Sequence, residues 1–385
     1  MTEKLYYKDS HLSVFEAVVT SCEKIKNGFA VALDKTAFFP EGGGQQGDTG
    51  YLNDVRIFDT HEKNDEVLHY AECEIAVGTV VVGKIDWNRR FRFMQNHSGE
   101  HIVSGIINSV TGFSNVGFHL GDEVVTIDFD GEISAEVLAE VELKANEAVY
   151  KNVNINTYFP SAEELGNFNY RSKLDITENV RIVEVEGYDT CACCAPHVSK
   201  TGEIGIIKLL DTMRHRGGIR INMVCGYRAL EDYNKKYSNI AAISASLSAK
   251  QHETAAAVER VKKELSDLKL TCSVLRRELI SFKAAELEET AGNMIIFEES
   301  LEAADLRELV NIGITKCGGV CAAFTGSDKD GYNYVIGSNT IDLRKASKDI
   351  NTAIEGRGGG QSTMIQGSCK AIKTVIEEYF ASFGI

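Results

Sequence analysis

The architecture of this chain is most readily inferred from the segment Asn96-His97-Ser98-Gly99-Glu100-His101. Apolar residues recur at helical spacing around it, at Met94, Ile102, Ile106 and Ile107, which predicts an α-helix that begins near Met94. Residues four apart lie on one face of a helix, so both imidazoles of the segment can reach one metal ion. A His pair at this spacing also arises by chance, so the pair alone is only half of a candidate site.

A second group of ligand-type residues lies much further along the chain. It reads Cys191-Ala192-Cys193-Cys194-Ala195-Pro196-His197 and places three thiols and an imidazole in one short segment. In a cytosolic protein, clustered thiols are more typical of metal ligands than of disulfides. Thiolate and imidazole together suit Zn²⁺ in tetrahedral geometry. The sequence therefore predicts a zinc site made of a His pair and a Cys/His pair, either catalytic or purely structural.

The His segment also matches the inverted zinc-peptidase signature His-x-x-Glu-His. In that interpretation Glu100 is the catalytic base. The thiol-rich segment offers softer ligands than those peptidases use, so a peptidase is the lesser alternative.

Composition limits the class of protein. The chain has 385 residues, 43% hydrophobic and 25% charged, which is typical of a soluble protein with two or three domains. No apolar window is long enough for a membrane span and the N-terminus does not resemble a signal peptide, so we expect a cytoplasmic protein with no membrane partner. The net charge of −15 argues against a nucleic-acid partner, but local fields steer ligands more than the total does.

Changes in composition and in hydrophobic periodicity along the sequence predict four regions and an α+β fold class. Residues 1–87 show short alternating strands, which predicts a small β-barrel. Residues 88–231 mix both periodicities and predict an α/β core that holds the zinc site. Residues 232–291 are almost entirely typical of helix and predict a helical hairpin or coiled coil, and residues 292–385 predict a small C-terminal α/β domain.

In the helical region, apolar residues recur every three or four positions and form an apolar seam along one face of the helix. Its members are Val258, Val261, Leu265, Leu268, Cys272, Leu275, Leu279 and Phe282. Either an antiparallel hairpin with an upstream helix or a coiled coil with a second chain would bury this seam. The spacing does not separate the two, and an intramolecular hairpin is the simpler expectation.

With both halves of the zinc site identified, the chain resembles the editing module of alanyl-tRNA synthetase and its free-standing relatives, the AlaX proteins. Residues 36–50 resemble the glycine-rich motif of that family, and residues 97–101 and 193–205 resemble its two zinc motifs. Residues 356–367 resemble the glycine-rich end of the DHH-associated domain that closes the long members. The motifs follow the family's order along almost the whole chain.

The resemblance implies a hydrolase that deacylates, in trans, tRNA-Ala charged with serine, with tRNA-Ala charged with glycine as a second candidate substrate. It implies Zn²⁺ held by His97, His101, Cys193 and His197, with a zinc-bound or neighbouring water as the attacking group and no side chain assigned as catalyst. It also implies that Thr36 and Gln45 contact the substrate, with Thr36 preferred as the sensor of the serine hydroxyl. Because the sequence starts at this module, we expect no aminoacylation.

The chain departs from the family at the second zinc motif, where Cys193-Cys194-Ala195-Pro196-His197 stands in place of Cys-Gly-Gly-Thr-His. The ligand spacing is retained, which favours Cys193. Two alternatives stay open: Cys191 or Cys194 replaces Cys193, or His197 lines the pocket without binding metal.

Candidate tRNA contacts come from a basic segment and a glycine-rich one. They are Arg214, Arg216, Arg220, Gly358, Gly359 and Gly360. The arginines suit phosphate, and the glycines would present backbone amides to it. We expect the C-terminal region to contact tRNA away from the acceptor end and to offer a homodimer contact. The rival hypothesis is an RNA-binding or assembly protein whose zinc only holds the fold.

Overall fold

The computed structural model describes residues 1–166, 168–172 and 180–384. The chain divides into two compact units, Met1–Ala242 and Ile243–Ile385. Both contain helices and sheets, so the predicted mixed α+β class is confirmed. The change of composition near residue 232 falls inside a helix, Tyr227–Leu247. The division between the two units lies further along the same helix, after Ala242.

The N-terminal strands build a barrel. The strands are β1 (Glu3–Lys4), β2 (Val14–Ile25), β3 (Gly28–Leu33), β4 (Lys35–Thr36), β5 (Gly50–Leu52), β6 (Val55–Lys63), β7 (Glu66–Ala71) and β8 (Val80–Ile85). Six of them close in the order β2-β3-β7-β6-β5-β8, and β1 pairs separately with β4. Alternate residues of β2 point inward, so Phe15, Ala17 and Val19 are buried while their neighbours face outward.

A central helix organises the rest of the first unit. The elements are α1 (Trp87–Thr111), β9 (Asn115–Leu120), β10 (Val125–Phe129), α2 (Ala135–Lys151), β11 (Ile155–Tyr158), α3 (Ala162–Leu165), β12 (Ile182–Val185), β13 (Asp189–Ala192), β14 (Ile207–His215) and β15 (Gly218–Cys225). The sheets have the orders β14-β15-β10-β9 and β11-β12-β13. Every residue of α1 from 93 to 107 is buried, as in a helix enclosed by its core.

The helix α1 begins earlier than its apolar periodicity predicts. The carboxylate of Asp86 accepts a hydrogen bond from the backbone N–H of Arg89 at 3.2 Å and caps the helix there. The predicted start near Met94 is therefore wrong, because the first two turns are basic and aromatic rather than periodic. The basic stretch 87–93 is part of this helix.

The remaining elements complete the chain. They are α4 (Tyr227–Leu247), which contains the division between the units, α5 (Thr254–Glu286), β16 (Met294–Glu298), α6 (Ala303–Gly313), β17 (Val320–Ser327), β18 (Gly331–Ser338), α7 (Leu343–Ala353), β19 (Gly356–Gly360), β20 (Met364–Cys369) and α8 (Lys373–Ser382). The sheet order is β16-β17-β18-β20-β19. Among the described residues, every helix is either too short or too polar to span a lipid bilayer.

The apolar seam lies on α5 and is solvent-exposed. The exposed fraction of its large side chains runs from 40% at Val258 to 72% at Phe282. The two predicted helices and the turn between them are present, since a short 3-10 helix, Gln251–Glu253, precedes α5. What buries the seam stays a prediction.

Candidate metal centre

The four side chains predicted as zinc ligands converge in the first unit. His97 and His101 lie one turn apart on α1, whereas Cys193 and His197 lie in the loop that follows β13. One nitrogen of each imidazole and Sγ of Cys193 all lie within 4.8 Å of one another. The Sγ atom of Cys193 is 3.6 Å from Nε2 of His97 and 3.4 Å from Nε2 of His197.

These separations fit a tetrahedral zinc ion. From the usual zinc–sulfur and zinc–nitrogen bond lengths, a sulfur and a nitrogen ligand of one tetrahedral ion lie about 3.6 Å apart. Both measured separations are close to that value. One thiolate with three imidazoles also favours Zn²⁺ over Mg²⁺ or Ca²⁺, which prefer oxygen. The residues present therefore fit the ion that the sequence implies.

Two imidazoles are oriented through their second nitrogen. Nδ1 of His97 donates a hydrogen bond to Oε1 of Gln45 at 3.0 Å. Nδ1 of His197 lies 3.0 Å from Oγ of Ser98, which also accepts the backbone N–H of Val198 at 3.3 Å. Each contact leaves Nε2 directed toward Cys193. Metal-binding histidines are typically held in this way, because the outer contact fixes both the tautomer and the ring orientation.

The third imidazole is paired with a carboxylate that sequence reasoning missed. Oδ2 of Asp189, at the start of β13, lies 3.1 Å from Nδ1 of His101, off the ideal hydrogen-bond direction. Asp189 also accepts two hydrogen bonds from Arg171, at 2.7 and 2.8 Å. Gly105 makes this possible, since a Cβ there would lie 2.4 Å from the carbonyl oxygen of Tyr188 and 2.8 Å from Cβ of Asp189. No local motif marks Asp189 in the sequence.

The electrostatic field of the cluster favours a cation. Burial alone would raise the pKa of the Cys193 thiol, but the surrounding histidines hold it well below its ordinary value. Burial would lower the pKa of His101, yet Asp189 and Cys193 raise it well above its ordinary value. Burial lowers the pKa of His197 to about 3, so that ring is neutral. The Cys193 thiolate and the neutral ring of His197 are in the state that metals bind, whereas His101 would give up its proton to a bound zinc ion, which would supply the favoured positive charge instead.

A cavity of about 1000 Å³ adjoins the cluster, and His97, His101 and Cys193 line it. Gly43 and Gly44 of the glycine-rich segment also line it. Both glycines have positive φ, and a Cβ on Gly44 would lie 2.6 Å from the ring of Phe118, another lining residue. The cluster therefore has space for a reactant beside it, whereas an open coordination position would require that one of the four candidate ligands not bind the metal.

The two residues predicted to contact substrate occupy different surroundings. Gln45 is buried beside His97, and its Nε2 has no hydrogen-bond partner among the described residues. Thr36 is fully buried in the barrel, where its Oγ1 lies 2.8 Å from Nε2 of His69 and accepts the N–H of Phe38 at 3.1 Å. Their contact with a substrate stays a prediction.

Glu100, the base of the peptidase alternative, also lines the cavity. Its Oε1 accepts hydrogen bonds from Oγ of Ser104 at 2.6 Å and Nδ2 of Asn115 at 2.5 Å. These contacts tie the carboxylate to its own helix and to β9.

The predicted arginine contacts for tRNA lie on and beside the β14–β15 hairpin. Arg214 is exposed and lies 3.2 Å from Glu132. Arg216 is an exposed turn residue with a φ of 48°. Arg220 donates two hydrogen bonds to Asp128, at 2.7 and 2.8 Å, so its guanidinium already has a structural partner.

The predicted glycine contacts lie in the second unit. Gly358, Gly359 and Gly360 are exposed on β19, the edge strand of the five-stranded sheet. A Cβ on Gly359 would meet no other atom within 4 Å. Contact of either group with tRNA stays a prediction.

Two protein-family models match parts of this chain. Residues 180–222 match the threonyl and alanyl tRNA synthetase second additional domain, and residues 2–89 match the class II (A) tRNA synthetases. The first match contains Cys193 and His197 of the cluster, and the second contains the barrel.

Individual proteins are similar to this chain over most of its length. The chain is 28% identical to the alanyl-tRNA editing protein AlaX-L of Pyrococcus horikoshii, over 96% of this chain and 95% of that protein. It is 27% identical to the alanyl-tRNA editing protein Aarsd1-B of Xenopus laevis, over 89% of this chain and 84% of that protein. The chain is thus similar over most of its length to alanyl-tRNA editing proteins, and the resemblance predicted from its motifs is confirmed.

Larger relatives share only part of their length with it. The chain is 28% identical to the alanine–tRNA ligase of Ignicoccus hospitalis, over 98% of this chain but 42% of the ligase. The C-Ala domain of Aquifex aeolicus alanyl-tRNA synthetase, a solved structure, covers 25% of this chain at 21% identity, with a TM-score of 0.21 that is too low to bear on the fold.

Proposed function

We propose that this chain hydrolyses the ester bond of wrongly charged tRNA-Ala, with serine as the first candidate amino acid and glycine as the second. The likeness to alanyl-tRNA editing proteins supports the substrate. The observation that carries the proposal is the convergence of His97, His101, Cys193 and His197 beside a cavity of about 1000 Å³. That volume lies at the upper end of the range for small-molecule sites and is sufficient for an aminoacylated nucleotide.

The reaction needs one water molecule. Water adds to the ester carbonyl carbon, the bond from that carbon to the ribose oxygen breaks, and the proton returns to the ribose as a hydroxyl. The amino acid leaves as the free acid. A bound zinc ion would supply a Lewis acid beside the cavity.

The protein side chains position this chemistry. Gln45, Ser98 and Asp189 hold the three imidazoles through Nδ1, so the ligand atoms are fixed before substrate arrives. Thr36 and Gln45 are the proposed contacts for the serine hydroxyl. A site that hydrogen-bonds this hydroxyl would favour the seryl ester over the alanyl ester, which lacks it.

A deacylation assay tests the proposal. tRNA-Ala charged with serine, glycine or alanine is incubated with the wild type, with the chelator-treated protein and with Cys193→Ala. We expect hydrolysis of the seryl ester, little loss of alanine, and loss of activity in the two zinc-free samples. Activity that survives in folded, zinc-free protein would contradict the proposal. Inactivity of the intact protein, with unfolding of the core on chelation, would favour a purely structural zinc.

A further inference from the structure

One buried cation in the cavity wall has no carboxylate partner among the described residues. Four lysine and arginine side chains of the described residues line the cavity: Lys4, Lys8, Arg171 and Arg181. The first three each have a carboxylate oxygen within 2.7 Å. Arg181 has no carboxylate partner within the described ranges, although it is only 6% exposed. An unpaired buried charge is costly, so proteins rarely keep one without a use.

The contacts that Arg181 does make only partly compensate its charge. Its Nη1 donates to the carbonyl oxygens of Cys193 at 2.9 Å and Ala195 at 2.8 Å. Its Cζ lies 5.3 Å from the centre of the Tyr7 ring. Nε is enclosed without an acceptor, and Nη2 has no acceptor in the part of the chain that the structure describes. The two carbonyls fix the guanidinium beside the metal loop, while Nη2 stays available.

One aromatic ring lies beside this cation, and a second packs against the first. Tyr7 and Phe159 both line the cavity, with ring centres 5.3 Å apart, and Phe159 is exposed. Aromatic faces beside a cation are the usual means of holding a nucleotide, because bases stack on rings of any kind and phosphate binds the guanidinium.

We propose that Arg181 binds the 5′-phosphate of the terminal nucleotide of the substrate, while Tyr7 and Phe159 receive its base. This inference rests on the proposed function, since the terminal adenosine of tRNA carries the ester. A planar guanidinium matches phosphate better than an ammonium does, and its position is fixed by the same loop that carries Cys193. Arg181 thereby sets the distance between the phosphate and the metal cluster.

The test compares two small probes on the zinc-loaded full-length protein. Adenosine 5′-monophosphate and adenosine differ by the phosphate alone, and isothermal titration calorimetry gives the affinity of each. We expect the monophosphate to bind the wild type at least roughly tenfold more tightly, as one charge-assisted contact provides. Equal affinities would overturn the proposal. Inorganic phosphate is added as a competitor, and displacement by it at the affinity of the monophosphate would show a general anion site and overturn the nucleotide assignment.

Two variants separate binding from a merely structural role. Arg181→Gln keeps a donor for the loop carbonyls but removes the charge, whereas Arg181→Lys keeps the charge. We expect Arg181→Gln to lose the preference for the monophosphate, Arg181→Lys to keep most of it, and both to retain zinc. Lys144→Met removes an exposed cation that pairs with Glu140 on α2 and should behave as the wild type. A preference that persists in Arg181→Gln would overturn the proposal.

The outcomes also separate this inference from the proposed function. Should Arg181→Gln fail to fold or to hold zinc, equal affinities of the wild type for the two probes would still overturn the proposal, and Arg181→Lys would still test the role of the side chain. A wild type that prefers the monophosphate but deacylates no tRNA would contradict the proposed function alone. A wild type that deacylates seryl-tRNA-Ala without preferring the monophosphate would contradict the role of Arg181 alone.

Discussion

Replacement of Asp189 by Asn should weaken zinc binding without removing a ligand. The side chain of Asp189 is only 2% exposed and links His101, at 3.1 Å, to Arg171, at 2.7 Å. Asparagine preserves the shape but removes the negative charge that faces the imidazole. Loss of such an outer contact typically lowers metal affinity 10- to 100-fold, which corresponds to about 1.4 to 2.7 kcal/mol.

The chain contains a matched control for this substitution. Asp128 accepts the same pair of hydrogen bonds from Arg220, at 2.7 and 2.8 Å, but none of the predicted zinc ligands contacts it. Asp128→Asn therefore removes an equivalent Arg–Asp pair and should leave zinc affinity unchanged.

Competition with a chromogenic chelator measures the zinc affinity of the three proteins. Urea unfolding of the chelator-treated proteins measures what each substitution does to the fold without metal. The reasoning is refuted if Asp189→Asn binds zinc as tightly as the wild type does and differs from it only in the stability of the zinc-free protein.

Three further predictions concern the barrel and the RNA contacts. Burial lowers the pKa of His69 to about 4, below its unfolded value. The contribution of this neutral histidine to the free energy of unfolding is therefore fully present above pH 6.5, and it falls by about 3 kcal/mol as the pH drops to 4. Urea unfolding should show a flatter pH dependence for His69→Gln than for the wild type, and parallel curves for the two proteins would contradict this prediction. Thr36→Val should reduce the ratio of serine to alanine hydrolysis roughly tenfold at constant zinc content, and an unchanged ratio would remove Thr36 as the sensor. Arg214→Gln should lower the slope of log affinity against log salt for tRNA by about 1, whereas the wild-type slope would exclude a phosphate contact there.

Local periodicity predicts those parts of the site that lie on one element. The spacing of His97 and His101 places both on one face of α1, and the helix is present. Cys193 and His197 were predicted from the density of ligand-type residues. Their convergence with the helix depends on tertiary packing; ligand chemistry and the family resemblance predicted that the two segments share one ion, but not the contacts that bring them together.

The supporting residues could not be predicted, because they act across long distances in the sequence. Asp189 reaches His101 only because Gly105 lets β13 approach α1 closely. Arg181 stands out because no carboxylate among the described residues pairs with it, and this depends on the fold and not on any motif. The start of α1 was missed because its cap, Asp86, precedes residues that lack apolar periodicity. Near residue 232 the change of composition falls inside the helix Tyr227–Leu247, whereas the two compact units divide between residues 242 and 243.

X-ray absorption at the zinc edge tests the central claim most directly. On the purified, zinc-loaded protein we predict one zinc ion per chain, with one sulfur ligand at about 2.3 Å and nitrogen ligands at about 2.0 to 2.1 Å. Cys193→Ala should remove the sulfur signal, whereas Cys191→Ala and Cys194→Ala should retain it. A shell with no sulfur, or a sulfur signal that survives in Cys193→Ala, would contradict the metal centre described for this chain.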